Sequence, residues 1–208
     1  SFAVYMLASQ AVGAHGIMVP ATAGLGHDLL AMAAAVRPDT RVIFIANPNN
    51  PTGTFEPGEN IKRLLETVPS DVVVVLDQAY DEYLAPRDRY DPAAWLGEHG
   101  NLVISRTFSK AYGLAGLRIG FGLASDRLTD LMNRVRQPFN VSSIGLTGAL
   151  AALQDIEFVQ RTYALNRAGM LQLTDGLRKL GIEYIPSYGN FITLRIAGDH
   201  SNAIKVNQ

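Results

Sequence analysis

The stretch VVVVLDQAYDEY, Val72 to Tyr83, is five apolar residues ended abruptly by an aspartate. A run this short and this continuously β-branched reads as a strand covered on both faces, the signature of a parallel sheet between helices. VIFIA, Val42 to Ala46, and LVIS, Leu102 to Ser105, repeat the pattern on either side of it. Less regular strand candidates are Ile17 to Pro20 and Arg118 to Leu123.

Between the strands the period changes. Ile61, Leu64, Leu65 and Val68 share one helical face just after Pro57, a residue suited to a helix start. Further helices are predicted over Asp126 to Arg136 and Ser142 to Leu153, and a long one over Asp155 to Leu180 that Gly181 would stop. IEYIPSYGNFITLRIAG then reads as two short strands around a turn. The expected fold is a three-layer α/β/α unit with a mostly parallel sheet, followed by the start of a smaller α+β domain. The boundary falls between residues 1–154 and 155–208.

Composition narrows the function classes. Of the 208 residues 48% are hydrophobic, and the formal net charge is −1 with both signs interspersed. That predicts a packed core and supplies no basic footprint for nucleic acid or an anionic membrane. The apolar runs are too short to span a bilayer, and SFAVYMLASQAVGAHG lacks the basic leader of a signal peptide. Cysteine is absent, which excludes disulfides and thiolate metal sites and fits a cytoplasmic protein. His15, His27, His99 and His200 are scattered without metal-ligand spacing and read as surface or core residues.

Parallel sheets bind ligands beyond the carboxyl ends of their strands, so the residues there carry the functional reading. NPNNPTGT (Asn47 to Thr54) follows the first run, DQAYDEY (Asp77 to Tyr83) the second and RTFSK (Arg106 to Lys110) the third. Taken singly, these are a turn, a helix cap and a surface lysine. Together they deliver an amide, a carboxylate with a tyrosine, and hydroxyls with a lysine to one sheet edge. Pyridoxal phosphate (PLP) chemistry needs such a set: an amine to form a Schiff base and an acid to keep the pyridine nitrogen protonated. Hydroxyls and an arginine fork suit a phosphate.

At these residues the sequence resembles the fold-type I PLP-dependent aminotransferases, and NPNNPTGT, DQAYDEY and RTFSKAYGLAGLRIG resemble the histidinol-phosphate aminotransferase branch. The resemblance implies that Lys110 is the Schiff-base lysine and proton carrier, and that Asp77 pairs with the pyridine nitrogen. It implies further that Tyr80 and Asn50 hold the ring's 3′ oxygen, that Thr107, Ser109 and Arg118 hold the phosphate, and that Phe2 stacks on the ring. It also implies a cis Asn50–Pro51 bond, an amino-acid or amino-phosphate substrate with a 2-oxo acid acceptor, and a homodimer. Arg195 is read as a strand residue of the small domain rather than a substrate-carboxylate ligand.

A threonine-phosphate decarboxylase and an aromatic amino-acid aminotransferase share these cofactor motifs, and a ligand-sensing domain of a regulator would be the non-enzymatic alternative. Against family members the chain reads as truncated at both ends, with most of the cofactor apparatus and an incomplete substrate site. It is therefore expected to be weakly active or inactive alone.

Overall fold

The computed structural model describes residues 2–196. Four strands form the main sheet: β1 (Val42–Ala46), β2 (Val73–Asp77), β3 (Leu102–Thr107) and β4 (Gly120–Ala124), in that spatial order. The first two pairings are parallel and the last is antiparallel. The sheet is therefore mostly parallel, as the sequence pattern predicts. A separate antiparallel pair, β5 (Glu183–Ile185) and β6 (Thr193–Arg195), makes the second sheet.

Six helices accompany them: α1 (Ala3–Ala11), α2 (Leu29–Ala34), α3 (Gly58–Thr67), α4 (Asp126–Val135), α5 (Ser143–Gln154) and α6 (Ile156–Lys179). Helix α3 begins after Pro57 and carries Glu59 in its first turn, where a negative charge meets the positive end of the helix dipole. Its spacing buries Ile61, Leu64 and Leu65 on Ile43, Ile45, Val74, Leu76, Leu102 and Ile104. This is the main core, and each buried Leu or Ile contributes about 1.5–3 kcal/mol. Asp155 caps α6 by accepting from Phe158 N–H at 2.9 Å, and the chain leaves that helix through Gly181, at φ +67°.

One predicted strand is absent. Residues 17–20 are irregular, and Ile17 and Met18 are exposed, because no strand among the described residues lies beside them to complete a ladder. The other elements agree to within one or two residues. The exception in character is Arg118, placed at a strand start by the sequence, which instead ends a short 3-10 turn in the left-handed conformation (φ +50°). Helices α1 and α2, which the sequence reading left unassigned, are also present.

Strand periodicity sets the face on which chemistry is displayed. In β2, Val74 and Leu76 point into the α3 core, so Asp77 projects with Val73 and Val75 to the opposite side. Phe44 of β1 serves that side too, where Tyr5 of α1 stacks on it, ring centroids 4.8 Å apart and planes 8° from parallel.

Candidate active site

Ala46, Asp77 and Ser105 are in-register neighbours across β1, β2 and β3. They form a row at the carboxyl edge of the parallel strands, with a carboxylate at its centre and a small side chain on either side. Above this row opens a cleft of about 330 Å³, within the usual range for small-molecule sites.

Every residue singled out from the sequence lines this cleft. Phe2 enters from the start of α1, and Asn50 from the turn after β1. Asp77 and Tyr80 come from the end of β2, Thr107, Ser109 and Lys110 from the end of β3, and Arg118 from the turn before β4. Asn50 Nδ2 donates to the Tyr80 hydroxyl at 3.0 Å. Lys110 Nζ stands over the Tyr80 ring, 5.4 Å from its centroid, close enough for a cation–π contact. Ser109 N–H donates to Thr107 Oγ1 at 3.1 Å, which tightens the turn after β3. Arg118 Nη1 donates to Ala115 O at 2.9 Å. Its left-handed backbone is uncommon for a non-glycine residue and marks a site where position is fixed at some local cost.

The turn that carries Asn50 is built tightly. Asn47 Nδ2 donates to Glu56 O and to Tyr90 Oη, each at 2.8 Å, while Glu56 N–H donates to Asn47 Oδ1 at 2.8 Å. Asn47–Pro48 and Asn50–Pro51 are both cis, the second as the sequence resemblance implied. Gly53, at φ +75°, packs against Ser187 so closely that a Cβ there would lie 2.6 Å from Ser187 Cβ.

Two features of the site escaped the sequence reading. Tyr5 donates its hydroxyl to Asp77 Oδ2 at 2.5 Å. Burial foremost, and then the Asp77 carboxylate, hold this phenol well above the ordinary tyrosine range. The spacing Phe2–Tyr5, one helical turn, was the signal that both rings face the same way. The second feature is a buried charge cluster around Arg106, which itself lines the cleft. Arg106 Nη2 lies 2.5 Å from Glu82 Oε1 and 3.2 Å from Asp81 Oδ2. Gln78 ties it in, donating to Asp81 at 3.0 Å and accepting from Arg106 at 3.4 Å. Burial raises the Asp81 pKa and outweighs the opposing pull of Arg106, because one guanidinium is shared between two carboxylates. For Arg106 burial works downward, but Glu82 and Asp81 together overcome it and raise its pKa.

The residues outside the site are consistent with ordinary roles. Arg195 pairs with Glu183 across the second sheet at 3.8 Å and is exposed. His27 is partly buried, with Nε2 2.9 Å from Ala46 O. His15 is exposed, and His200 lies outside the described residues. Among the described residues, no three His, Asp or Glu side chains are grouped to hold a metal ion, and no helix is long and apolar enough to cross a membrane.

The sequence matches the family Aminotransferase class I and II over residues 2–205. The chain belongs to this family. Among its relatives, histidinol-phosphate aminotransferase 2 of Nitrosospira multiformis is 63% identical over 199 residues, covering 96% of this chain and 50% of the relative. Histidinol-phosphate aminotransferase 2 of Ralstonia nicotianae is 56% identical over 207 residues, covering 100% of this chain and 55% of the relative. This aminotransferase chain thus spans about half the length of the curated relatives it matches. Its fold superposes on the crystal structure of histidinol-phosphate aminotransferase from Sinorhizobium meliloti in complex with pyridoxal-5'-phosphate, with a TM-score of 0.90 and 31% identity. That match covers 96% of this chain and 54% of the other.

The donor set fits the same cofactor. A carboxylate lies between two small residues at the strand ends, an amide–phenol pair and a primary amine line the same cleft, and so do two hydroxyl residues and an arginine. A flat aromatic ring with one anionic arm is the shape this arrangement accommodates.

Proposed function

We propose that the intact polypeptide is a PLP-dependent aminotransferase of histidine biosynthesis, moving an amino group from histidinol phosphate to 2-oxoglutarate. The convergence of Asp77, Lys110 and the Asn50–Tyr80 pair on one cleft at the ends of parallel strands is the observation that carries this reading. The names of the relatives support the substrate assignment.

When bound, the cofactor supplies an aldehyde and an electron-withdrawing ring. Lys110 holds and moves the proton at its Nζ, with the Tyr80 ring face beneath it limiting where that amine can swing. Asp77 would hold the proton of the ring nitrogen. Asn50 and Tyr80 would offer donors to the ring oxygen. Thr107, Ser109 and Arg118 would bind the phosphate, and Phe2 would stack on the ring. We assign residues 1–154 to the cofactor-binding domain and 155–208 to a smaller second domain.

The protein acts in the cytoplasm as a homodimer in this reading. Val135, Phe139, Ile144 and Leu146 leave large apolar side chains exposed on and between α4 and α5, Phe139 being 99% accessible, which supports an interface in this part of the chain.

The test is to add PLP to the intact protein, reduce with borohydride and map the label by mass spectrometry. Label on Lys110, with amino transfer from histidinol phosphate in preference to aromatic amino acids, is expected. Turnover of phosphothreonine with release of carbon dioxide would reassign the protein to decarboxylation, and failure to trap any lysine would end the cofactor reading.

A further inference from the structure

Tyr5 is joined to the centre of the cleft across 72 residues of sequence by a single short bond. Its ring is fixed by the face-to-face stack on Phe44, and Phe2 meets it edge-on at 5.7 Å and 82°. With the ring immobilised, the direction of the O–H bond toward Asp77 Oδ2 is immobilised too. The other carboxylate oxygen, Oδ1, accepts from Ala79 N–H at 3.1 Å.

A carboxylate turns easily about its last bond, because that torsion is broad rather than staggered. The in-register neighbours of Asp77 are Ala46 and Ser105, too small to hold it by packing. The two donors, one on each oxygen, therefore fix its plane, and each oxygen keeps a lone pair. Both bonds gain from the charge of the carboxylate, and the Tyr5 bond is the shorter of the two. If Tyr5 only packed α1 onto β1, the stack on Phe44 would be sufficient and the hydroxyl superfluous.

We propose that Tyr5 is a positioning residue for the cofactor, its hydroxyl clamping Asp77 Oδ2 so that the carboxylate meets the pyridine nitrogen in one fixed orientation. This rests on the PLP reading above. Burial, Asp77 and Tyr80 all disfavour ionisation of the Tyr5 phenol, so it remains a donor throughout the range in which the enzyme would work.

The experiment compares PLP dissociation constants of the intact wild type, Tyr5→Phe, Asp77→Asn and the double variant. Removing the hydroxyl is expected to weaken binding about tenfold, and to change it less than twofold once Asp77 is already Asn, since the two act through one bond. Incorporating 3-fluorotyrosine at position 5, which keeps ring and hydroxyl, should restore wild-type affinity. Tyr5→Phe binding within twofold of wild type, or a full additional loss in the Asp77→Asn background, overturns the clamp while leaving the cofactor reading intact. A wild type that takes up no PLP overturns both.

A second measurement needs neither cofactor nor the Tyr5→Phe protein. The fluorine resonance of 3-fluorotyrosine at position 5, titrated in the ligand-free intact protein, should report ionisation at higher pH than the free amino acid. In Asp77→Asn it should move back toward that value. Ionisation at the free value in both backgrounds also overturns the proposal.

Discussion

The side-chain amide of Asn50 donates to the hydroxyl of Tyr80 at 3.0 Å, joining the turn after β1 to the turn after β2. The two groups proposed to hold the ring oxygen are thus already fixed against each other before any ligand arrives. Because each orients the other, removing either disturbs both. In denaturant titrations a double-mutant cycle of Asn50→Ala and Tyr80→Phe should show a coupling of about 1 kcal/mol, the net worth of a typical hydrogen bond. Additive losses would show that the pair is incidental.

Among the described residues, Lys110 engages the Tyr80 ring and lines the cleft without an ion pair, which suits a group that must travel. Lys110→Ala should abolish borohydride-dependent retention of PLP by the intact protein. It should also lower amino transfer by roughly 10²–10⁴-fold, the usual worth of a positioned proton carrier. Added primary amines restoring part of the rate would locate the loss in proton transfer rather than in folding.

Arg106 is ion-paired with two buried carboxylates, Asp81 and Glu82. Arg106→Leu leaves both without that partner and should cost about 3–5 kcal/mol in chemical unfolding. By contrast, Arg134→Ala breaks an exposed pair with Asp130 and should cost no more than about 0.5 kcal/mol. Equal losses would mean that the cluster is solvated in solution.

His27 Nε2 donates to Ala46 O, which favours the charged ring, but burial outweighs that bond and lowers the His27 pKa. The unfolded chain therefore takes up a proton near pH 6.5 that the folded protein refuses until lower pH. Stability should fall as pH drops below about 6.5, down to the folded pKa, and be unaffected by this group above that value. Unfolding midpoints measured between pH 8 and 5 should show a flatter acid limb for His27→Gln, which keeps a donor and loses the titration. An unchanged limb would assign the pH dependence to other groups.

The sheet, and the meeting of the eight proposed site residues in one cleft, were legible because two simple periodicities, strand and helix, place residues at predictable ends. β1 was placed to the residue, and β2 and β3 to within two. What was illegible depended on partners distant in sequence. Residues 17–20 have strand-like composition but no neighbouring strand among the described residues. Helix α1 is held by the Tyr5–Phe44 stack and the Tyr5–Asp77 bond, and neither contact is visible in a local pattern. Arg118 was recognised by chemistry, while its left-handed backbone follows from the turn that returns the chain to β4.

Gly53 offers a stability test of the join between the two sheets. Both its positive φ and the nearness of Ser187 oppose a side chain, so Gly53→Ala should destabilise by about 1–3 kcal/mol. Combining it with Ser187→Gly should recover the steric part and leave the backbone part. A loss unchanged by the second substitution would assign all of it to φ.

That join has a mechanical consequence. Tyr188 N–H donates to Gly53 O at 2.8 Å, and Thr193 Oγ1 donates to Pro51 O. The smaller sheet therefore grips the same five-residue turn whose other side presents Asn50 to the cleft. Leverage applied to β5 and β6 cannot be dissipated along a slack linker; it arrives at the Asn50 amide and, through it, at Tyr80. The posture of one sheet and the shape of the pocket on the other are two readings of a single fulcrum.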